Sequence, residues 1–382
     1  MNGSIRQRSK DTWQLRYDAP PDGNGKRRFV SETVRGNKKD AERVLRERLA
    51  AIENGGYVPR DKETVSEFMH RWLETYAATN TSLRTQHGYQ AYVRRYIVPY
   101  IGSISLQMLT ARHVQEMYAD LLDRGLSNTT VIQVHRIFNQ AINHAVRWGT
   151  LSRNVVNATT PPRLQRTEIP MWDPETIDLF LEKADASRFR DLYHIAVLTG
   201  MRRSEICGLK WENVDLIHGH LGVVNTLQRI TDHGLVEGQP KTTKSRRSIA
   251  LAPDVVEIFH AIRGRQIEQR LDFSELWQNS GYVFTQISGA PVAPDMISKD
   301  FCAIVRKAKL PHLTFHGLRH AHATMALIAG VNPKTISERL GHSSIATTMD
   351  VYSHVLPGLQ EEAAKAVENV LSQARRKRLG MS

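Results

Sequence analysis

The stretch Leu198-Thr199-Gly200-Met201-Arg202-Arg203-Ser204-Glu205-Ile206 decides how the C-terminal half of this chain is read. The apolar run 192–198 that leads into it reads as a helix stopping at Gly200, where a left-handed residue costs little. A second helix opens with Arg202. Glu205 lies one turn further along the same face and can hold that guanidinium in place. An arginine near a helix start, backed by a carboxylate, suits bidentate binding of a phosphate. Taken alone the motif reads better as a surface i,i+3 ion pair worth little, so the weight falls on its surroundings.

Three further clusters follow in chain order. The first is Pro240-Lys241-Thr242-Thr243-Lys244-Ser245-Arg246-Arg247, inside a strand-like insert over 220–251 that turns at Asp232-His233-Gly234. A lysine on a β-turn can reach a groove and protonate a leaving alkoxide. A basic hairpin with only electrostatic contacts describes most of these residues equally well, and at most one is catalytic. The second is His316-Gly317-Leu318-Arg319-His320, opening a helical run through Ala329. His316 and Arg319 share a face once the helix has begun, and a neutral histidine beside an arginine can orient a nucleophile or bond a phosphate oxygen. His316 and His320 at i,i+4 also have the spacing of a zinc pair. The glutamate of a His-Glu-x-x-His site is missing, however, and Arg319 would repel a cation. No metal is therefore expected, and His320 and His322 read as packing or capping groups. In the third, a short helix over 333–340 ends at Gly341, His342 follows in the turn, and the next helix carries Tyr352. A tyrosine is a core residue by default. This one follows a basic stretch rich in histidine and arginine, which tips the balance.

Further out, the 382 residues suggest two or three domains. The first sixty hold fourteen Lys or Arg against eight Asp or Glu. In them Trp13, Leu15 and Tyr17 alternate with polar residues as in a half-buried strand. Asp22-Gly23-Asn24-Gly25 signals a turn, residues 26–30 a returning strand, and 37–52 a helix. Residues 64–155 read as all helical, with segments starting at Thr64 or Ser66, at Ser82, near Ala111 and near Ser127-Asn128. Their aromatic stripes read as core. Residues 156–170 form a linker, and 171–382 a mostly helical domain that starts at Asp173-Pro174 and carries a small antiparallel insert. A second short hairpin is expected over 282–292. The fold class is thus multidomain and mainly α, with a small N-terminal α+β domain.

The net charge of +13 and the pI near 9.8 point to a polyanionic partner, nucleic acid before an anionic membrane. No apolar run approaches the roughly 20 residues of a membrane span. The polar, basic first ten residues lack a signal-peptide core. Cys207 and Cys302 cannot build a disulfide framework or a four-cysteine zinc site, and both read as small buried hydrophobes. A cytoplasmic protein is the simplest inference.

In their order and spacing, Thr199-Gly200-x-Arg202-x-x-Glu205, a lysine in a β-hairpin, His316-x-x-Arg319, Leu340-Gly341-His342 and a downstream tyrosine resemble the tyrosine recombinases, or lambda-type integrases. The resemblance is closest over 170–356. The spacing from His342 to Tyr352 is one residue longer than in some members, but Ser353-His354-Val355 keeps the usual context. Residues 64–155 resemble the family's core-site-binding domain and 1–60 its arm-site-binding domain.

The resemblance implies that Tyr352 attacks the scissile phosphate, leaving a 3′-phosphotyrosine and a free 5′-hydroxyl. Arg202 and Arg319 would clamp the non-bridging oxygens, and Lys241 would be the general acid, with Lys244 its competitor. His316 would serve as base or partner to Tyr352, His342 would bond the phosphate, and Glu205 would support the site. Such a site needs no metal, cofactor or ATP: two fixed arginines stabilise the charge of the transition state, and the phosphotyrosine stores the bond. The implied partners are double-stranded DNA at core and arm sites, a homo-tetramer on that DNA, an excisionase or directionality factor, and a DNA-bending protein. The segment 359–373 could dock onto a neighbouring protomer or its own domain, with 375–378 a basic tail. Other readings are a type IB topoisomerase-like enzyme, a DNA-binding accessory protein without catalysis, and a metal-dependent nuclease.

Overall fold

The structure is a computed structural model that describes residues 3–19, 28–53, 58, 61–164, 171–240, 245–342, 344, 345, 349, 368, 371, 372, 375 and 378. The chain divides into two compact units, Met1–Thr167 and Glu168–Ser382.

The first unit opens with a three-stranded antiparallel sheet of β1 (Gly3–Ser9), β2 (Thr12–Ala19) and β3 (Arg28–Arg35), in that order. Leu15 and Tyr17 of β2 are buried against α1 (Lys38–Glu53), where they meet Ala41 and Ile52. The strand β1 carries no hydrophobic period: Ile5 is its one large apolar residue, and the ladder to β2 holds it in place as an edge. The returning strand is longer than its apolar residues suggest, pairing with β2 from Arg28 to Arg35. The turn signal at 22–25 lies outside the described residues.

A helical bundle follows. Thr64 caps α2 (Val65–Trp72) in a reciprocal box with Glu67. Ser82 caps α3 (Leu83–Tyr92), which continues through a widened turn, Val93–Ile97, to Ile101. Pro99, just past that turn, has no N–H to give it. The last two bundle helices are α4 (Ala111–Asp123) and α5 (Asn128–Arg147). Their inward residues, among them Phe68, Trp72, Ile97, Leu121 and Phe138, form one core. The buried Trp72 Nε1 donates to His144 Nδ1 at 2.7 Å. Tyr76 and Tyr89 stack on Trp72, so these aromatics do belong to the core.

In the second unit Asp173 caps α6 (Pro174–Ala184). Then come α7 (Arg190–Thr199) and α8 (Arg203–Cys207). Five strands follow: β4 (Val214–Asp215), β5 (His220–Val223), β6 (Thr226–Ile230), β7 (Gly234–Gly238) and β8 (Arg247–Ala250). The unit closes with α9 (Pro253–Phe273), α10 (Pro294–Lys307), α11 (Phe315–Ile328) and α12 (Pro333–Leu340). The strands form two antiparallel sheets, β4-β5-β8 and β6-β7. Phe180, Tyr193, Phe259, Phe301 and Leu318 lie at the centre of the core.

The short turn-back expected around Gly289 is present: Thr285 bridges Pro291, Gln286 N–H donates to Ala290 O and Val292 N–H to Phe284 O, with Gly289 at φ 79° in the turn. Two expectations need correction. Cys207 is buried, but Cys302 is exposed, because Phe301 takes the inward position on α10 and turns its neighbour outward. The described strands flanking Lys241 are not paired with each other: β7 belongs to one sheet and β8 to the other. No described helix is long and apolar enough to cross a membrane.

Candidate active site

Helix α7 ends at Gly200, in the left-handed region at φ 65°. A side chain there would strike its neighbours, since an added Cβ would lie 2.4 Å from Leu340 Cδ2 and 2.7 Å from His322 Cδ2. The chain then extends through Arg202, which starts α8. The Arg202 backbone N–H donates to Glu205 Oε2 at 2.9 Å, and its Nη1 donates to Oε1 at 2.6 Å. The expected pair therefore forms, but it is not a surface bridge: Glu205 is 2% exposed.

A second guanidinium backs the same carboxylate. Arg247, from β8, donates Nη1 to Oε1 at 3.2 Å and Nη2 to Oε2 at 2.9 Å, and its side chain is 6% exposed. Burial alone would raise the Glu205 pKa. The hydrogen bonds and charge of Arg247, joined by those of Arg202, outweigh it and hold the carboxyl below its usual range.

The C-terminal turn of α12 gathers the arginines. Arg247 Nε donates to the carbonyl of Arg339, Arg319 Nη2 to that of Leu340, and Arg202 Nη2 to that of Gly341. Three successive carbonyls that a helix end leaves without intrahelical partners each take one guanidinium N–H, and a cation there suits the negative end of the helix. Arg319, 3% exposed, also donates Nη1 to Gly200 O at 2.9 Å. Burial and then the nearby Arg202 lower its pKa to about 9, so it stays charged at neutral pH. The side chain of Arg339 donates in turn to Ala250 O and Leu198 O. The ends of α7, α12 and β8 are thus tied together around Arg202, Glu205 and Arg319.

His316 sits in the first turn of α11, its ring edge-on to His320 with centroids 5.0 Å apart. Surrounding protein, His320 and the charges of Arg319 and Arg202 push its pKa down to about 4. His316 keeps an exposed face, so solvent screens part of that shift; the direction stands, and the ring is neutral at pH 7. His342 follows the left-handed Gly341 and is lowered to about 4 by burial, then by Arg319 and Arg202. His322 packs beneath Gly200 and pairs its Nδ1 with Val197 O at 2.8 Å, a packing role as expected.

Arg202, Glu205 and Arg319 are therefore joined by hydrogen bonds to one another or to one helix end, and His316 and His342 lie in the field of both arginines. Tyr352 and both candidate acids, Lys241 and Lys244, lie outside the described residues, as does most of 359–373 and 375–378. Sequence reasoning missed Arg247 and Arg339. A signal for Arg247 existed: it lies two residues before the buried Ile249, on the inward side of β8, where a charge needs a partner.

Comparison with known proteins gives a consistent picture. Residues 173–358 match the phage integrase family, and residues 64–122 match the phage integrase N-terminal SAM-like domain. A tyrosine recombinase XerC-like protein of Caldanaerobacter subterraneus is 28% identical, over 94% of this chain and 97% of the relative. The fold resembles the Tn1549 transposon integrase in complex with transposon right end DNA, with TM-score 0.68, 22% identity, and 81% of this chain and 99% of that one covered. It also resembles a lambda integrase tetramer bound to a Holliday junction, with TM-score 0.59, 15% identity and coverage of 91% and 94%.

Proposed function

The chain belongs to the phage integrase family of tyrosine site-specific recombinases, and from that premise we propose that it cuts and rejoins DNA through Tyr352. The phenol oxygen attacks phosphorus, the bond to the 5′-oxygen breaks, and a 3′-phosphotyrosine remains. His316, neutral at pH 7, accepts the phenol proton, and Lys241 supplies a proton to the leaving 5′-oxygen. Arg202 and Arg319 take the non-bridging oxygens, His342 adds a hydrogen bond, and Glu205 holds Arg202 in place. The charge that a metal supplies in many nucleases comes here from the arginines, so the reaction needs neither metal nor ATP.

One observation carries this reading: Arg202 and Arg319 are bound to successive carbonyls of the turn that leads into His342, with Glu205 buried behind them. Each guanidinium has five N–H groups, and the hydrogen bonds described above leave some on each for a phosphate.

The partner is duplex DNA, on which the chain assembles as a homo-tetramer, as the lambda integrase resembling it does on a Holliday junction. Residues 64–155 grip the core site. Residues 1–60 hold arm sites through the sheet face turned away from α1, which carries Arg6, Arg8 and Arg16 with Phe29 beneath the Arg16 guanidinium. An excisionase and a DNA-bending protein would set direction.

The test is a nicked suicide duplex bearing candidate attachment DNA, mixed with the full chain in excess chelator, with the linked peptide mapped. We expect an adduct at Tyr352, and Tyr352→Phe should bind DNA without forming it. An adduct in the Phe variant, or a requirement for metal, refutes the reading.

A further inference from the structure

Among the described residues, Arg247, its side chain 6% exposed, is the one buried cation at the site to which the reaction assigns no task. We propose that Arg247 is a positioning residue of the phosphate clamp: it takes up the charge of Glu205, so that Arg202 meets the scissile phosphate with its own charge unspent. This rests on Arg202 being a phosphate ligand.

The geometry is a shared carboxylate. Glu205 Oε1 accepts from Nη1 of both arginines, and Oε2 accepts from the Arg202 backbone and from Arg247 Nη2. Arg202 and Glu205 alone form a neutral pair, able to orient a phosphate but offering it no net charge. With Arg247 the group of three carries one positive charge. With Glu205 and Arg247 both buried, that unit of charge weighs more than it would in water. Arg247, 6% exposed behind Glu205, is walled off from a substrate and acts through the carboxylate. It acts through the backbone as well, because its Nε holds the first of the three carbonyls at the end of α12, two residues before Gly341. A lysine could match the charge but not the three directions. Arg247 also begins the strand that follows the segment bearing Lys241, so one side chain links that segment to both halves of the clamp.

The experiment times adduct formation by the full chain in a single turnover, on two suicide duplexes. One has an ordinary scissile phosphate. The other has a methylphosphonate there, whose neutral phosphorus centre needs little from a cationic clamp. Arg247→Met keeps the bulk without the charge, and Arg247→Lys keeps the charge without the fork. On the ordinary phosphate we expect Arg247→Met to be about 10- to 100-fold slower than wild type and Arg247→Lys to fall between. Duplex affinity should change little, and on the methylphosphonate the gap to wild type should shrink.

Arg247→Met at the wild-type rate overturns the inference. So does an equal loss on both duplexes, which is what a packing role gives. If the Met variant fails to fold, Arg247→Lys carries the same comparison. If wild type is too slow on the neutral duplex to be timed, the order on the ordinary one decides: Lys faster than Met supports the role, and equality overturns it. A wild type that forms no adduct at all refutes the proposed function instead.

Discussion

Replacing Gly200 with alanine tests the packing on which the clamp depends. At φ 65° an alanine pays about 1 kcal/mol for the left-handed backbone. Its Cβ would also sit 2.4 Å from Leu340 Cδ2 and 2.7 Å from His322 Cδ2. Neither neighbour can swing away freely: Leu340 is fully buried, and His322 is pinned by its bond to Val197 O. Overpacking of this kind costs about 1–3 kcal/mol, for a total of about 2–4 kcal/mol. Gly330 supplies the control. It has φ 76°, and an added Cβ there meets nothing within 4 Å, so its alanine pays only the backbone cost of about 1 kcal/mol. The assay is calorimetry of the full chain. For a unit of this size each kcal/mol lowers the melting temperature by about 2–4 °C. Gly330→Ala should therefore lose about 2–4 °C and Gly200→Ala about 4–16 °C. Adduct formation should also fall in Gly200→Ala, since the Gly200 carbonyl accepts from Arg319. Equal losses in the two variants would show that Leu340 and His322 yield at no cost, and the reasoning fails.

Three further outcomes follow from the same structure. Glu205→Gln leaves two guanidiniums around an uncharged amide and should cost about 3–5 kcal/mol; calorimetry with an unchanged transition would contradict that. Trp72→Phe removes the donor to His144 Nδ1 and should cost about 1–3 kcal/mol in urea denaturation, on top of any change in packing. For pH, burial first and neighbouring positive charges after it hold His322 and His342 near 4, against an ordinary 6.5, and lower the more exposed His316 in the same direction. Between those values the unfolded chain binds more protons than the folded one. Stability is therefore fully present above pH 6.5 and falls as the pH drops toward 4. Melting temperatures that stay flat or rise on acidification through that window would refute the neutral-histidine picture.

What the sequence made legible was local. Gly200 after an apolar run and Asp173 before a proline each announce a helix boundary through chemistry contained within one turn, and the structure has both boundaries there; of the two candidate caps Thr64 and Ser66, Thr64 is the one that caps α2. Glu205 one turn from Arg202 falls in the same class, because helix geometry alone brings the two together. The strand β1 was illegible for the opposite reason: its place is fixed by hydrogen bonds to β2, and a ladder of backbone bonds leaves no mark on side-chain polarity.

Arg247 shows where local reading stops. Its partner Glu205 is 42 residues away along the chain and its carbonyl acceptor 92, so no spacing rule joins them. In the sequence it is the last of four cations in a run that reads as a solvated basic turn. What separates it from its neighbour Arg246 is strand parity, two positions before Ile249 on the buried side of β8. A charge placed there without a partner would cost several kcal/mol. Inward parity therefore implies that a carboxylate lies opposite. Which carboxylate it is only the fold decides, because Glu205 reads in the sequence as half of a surface pair and becomes a buried partner only when β8 packs against α8.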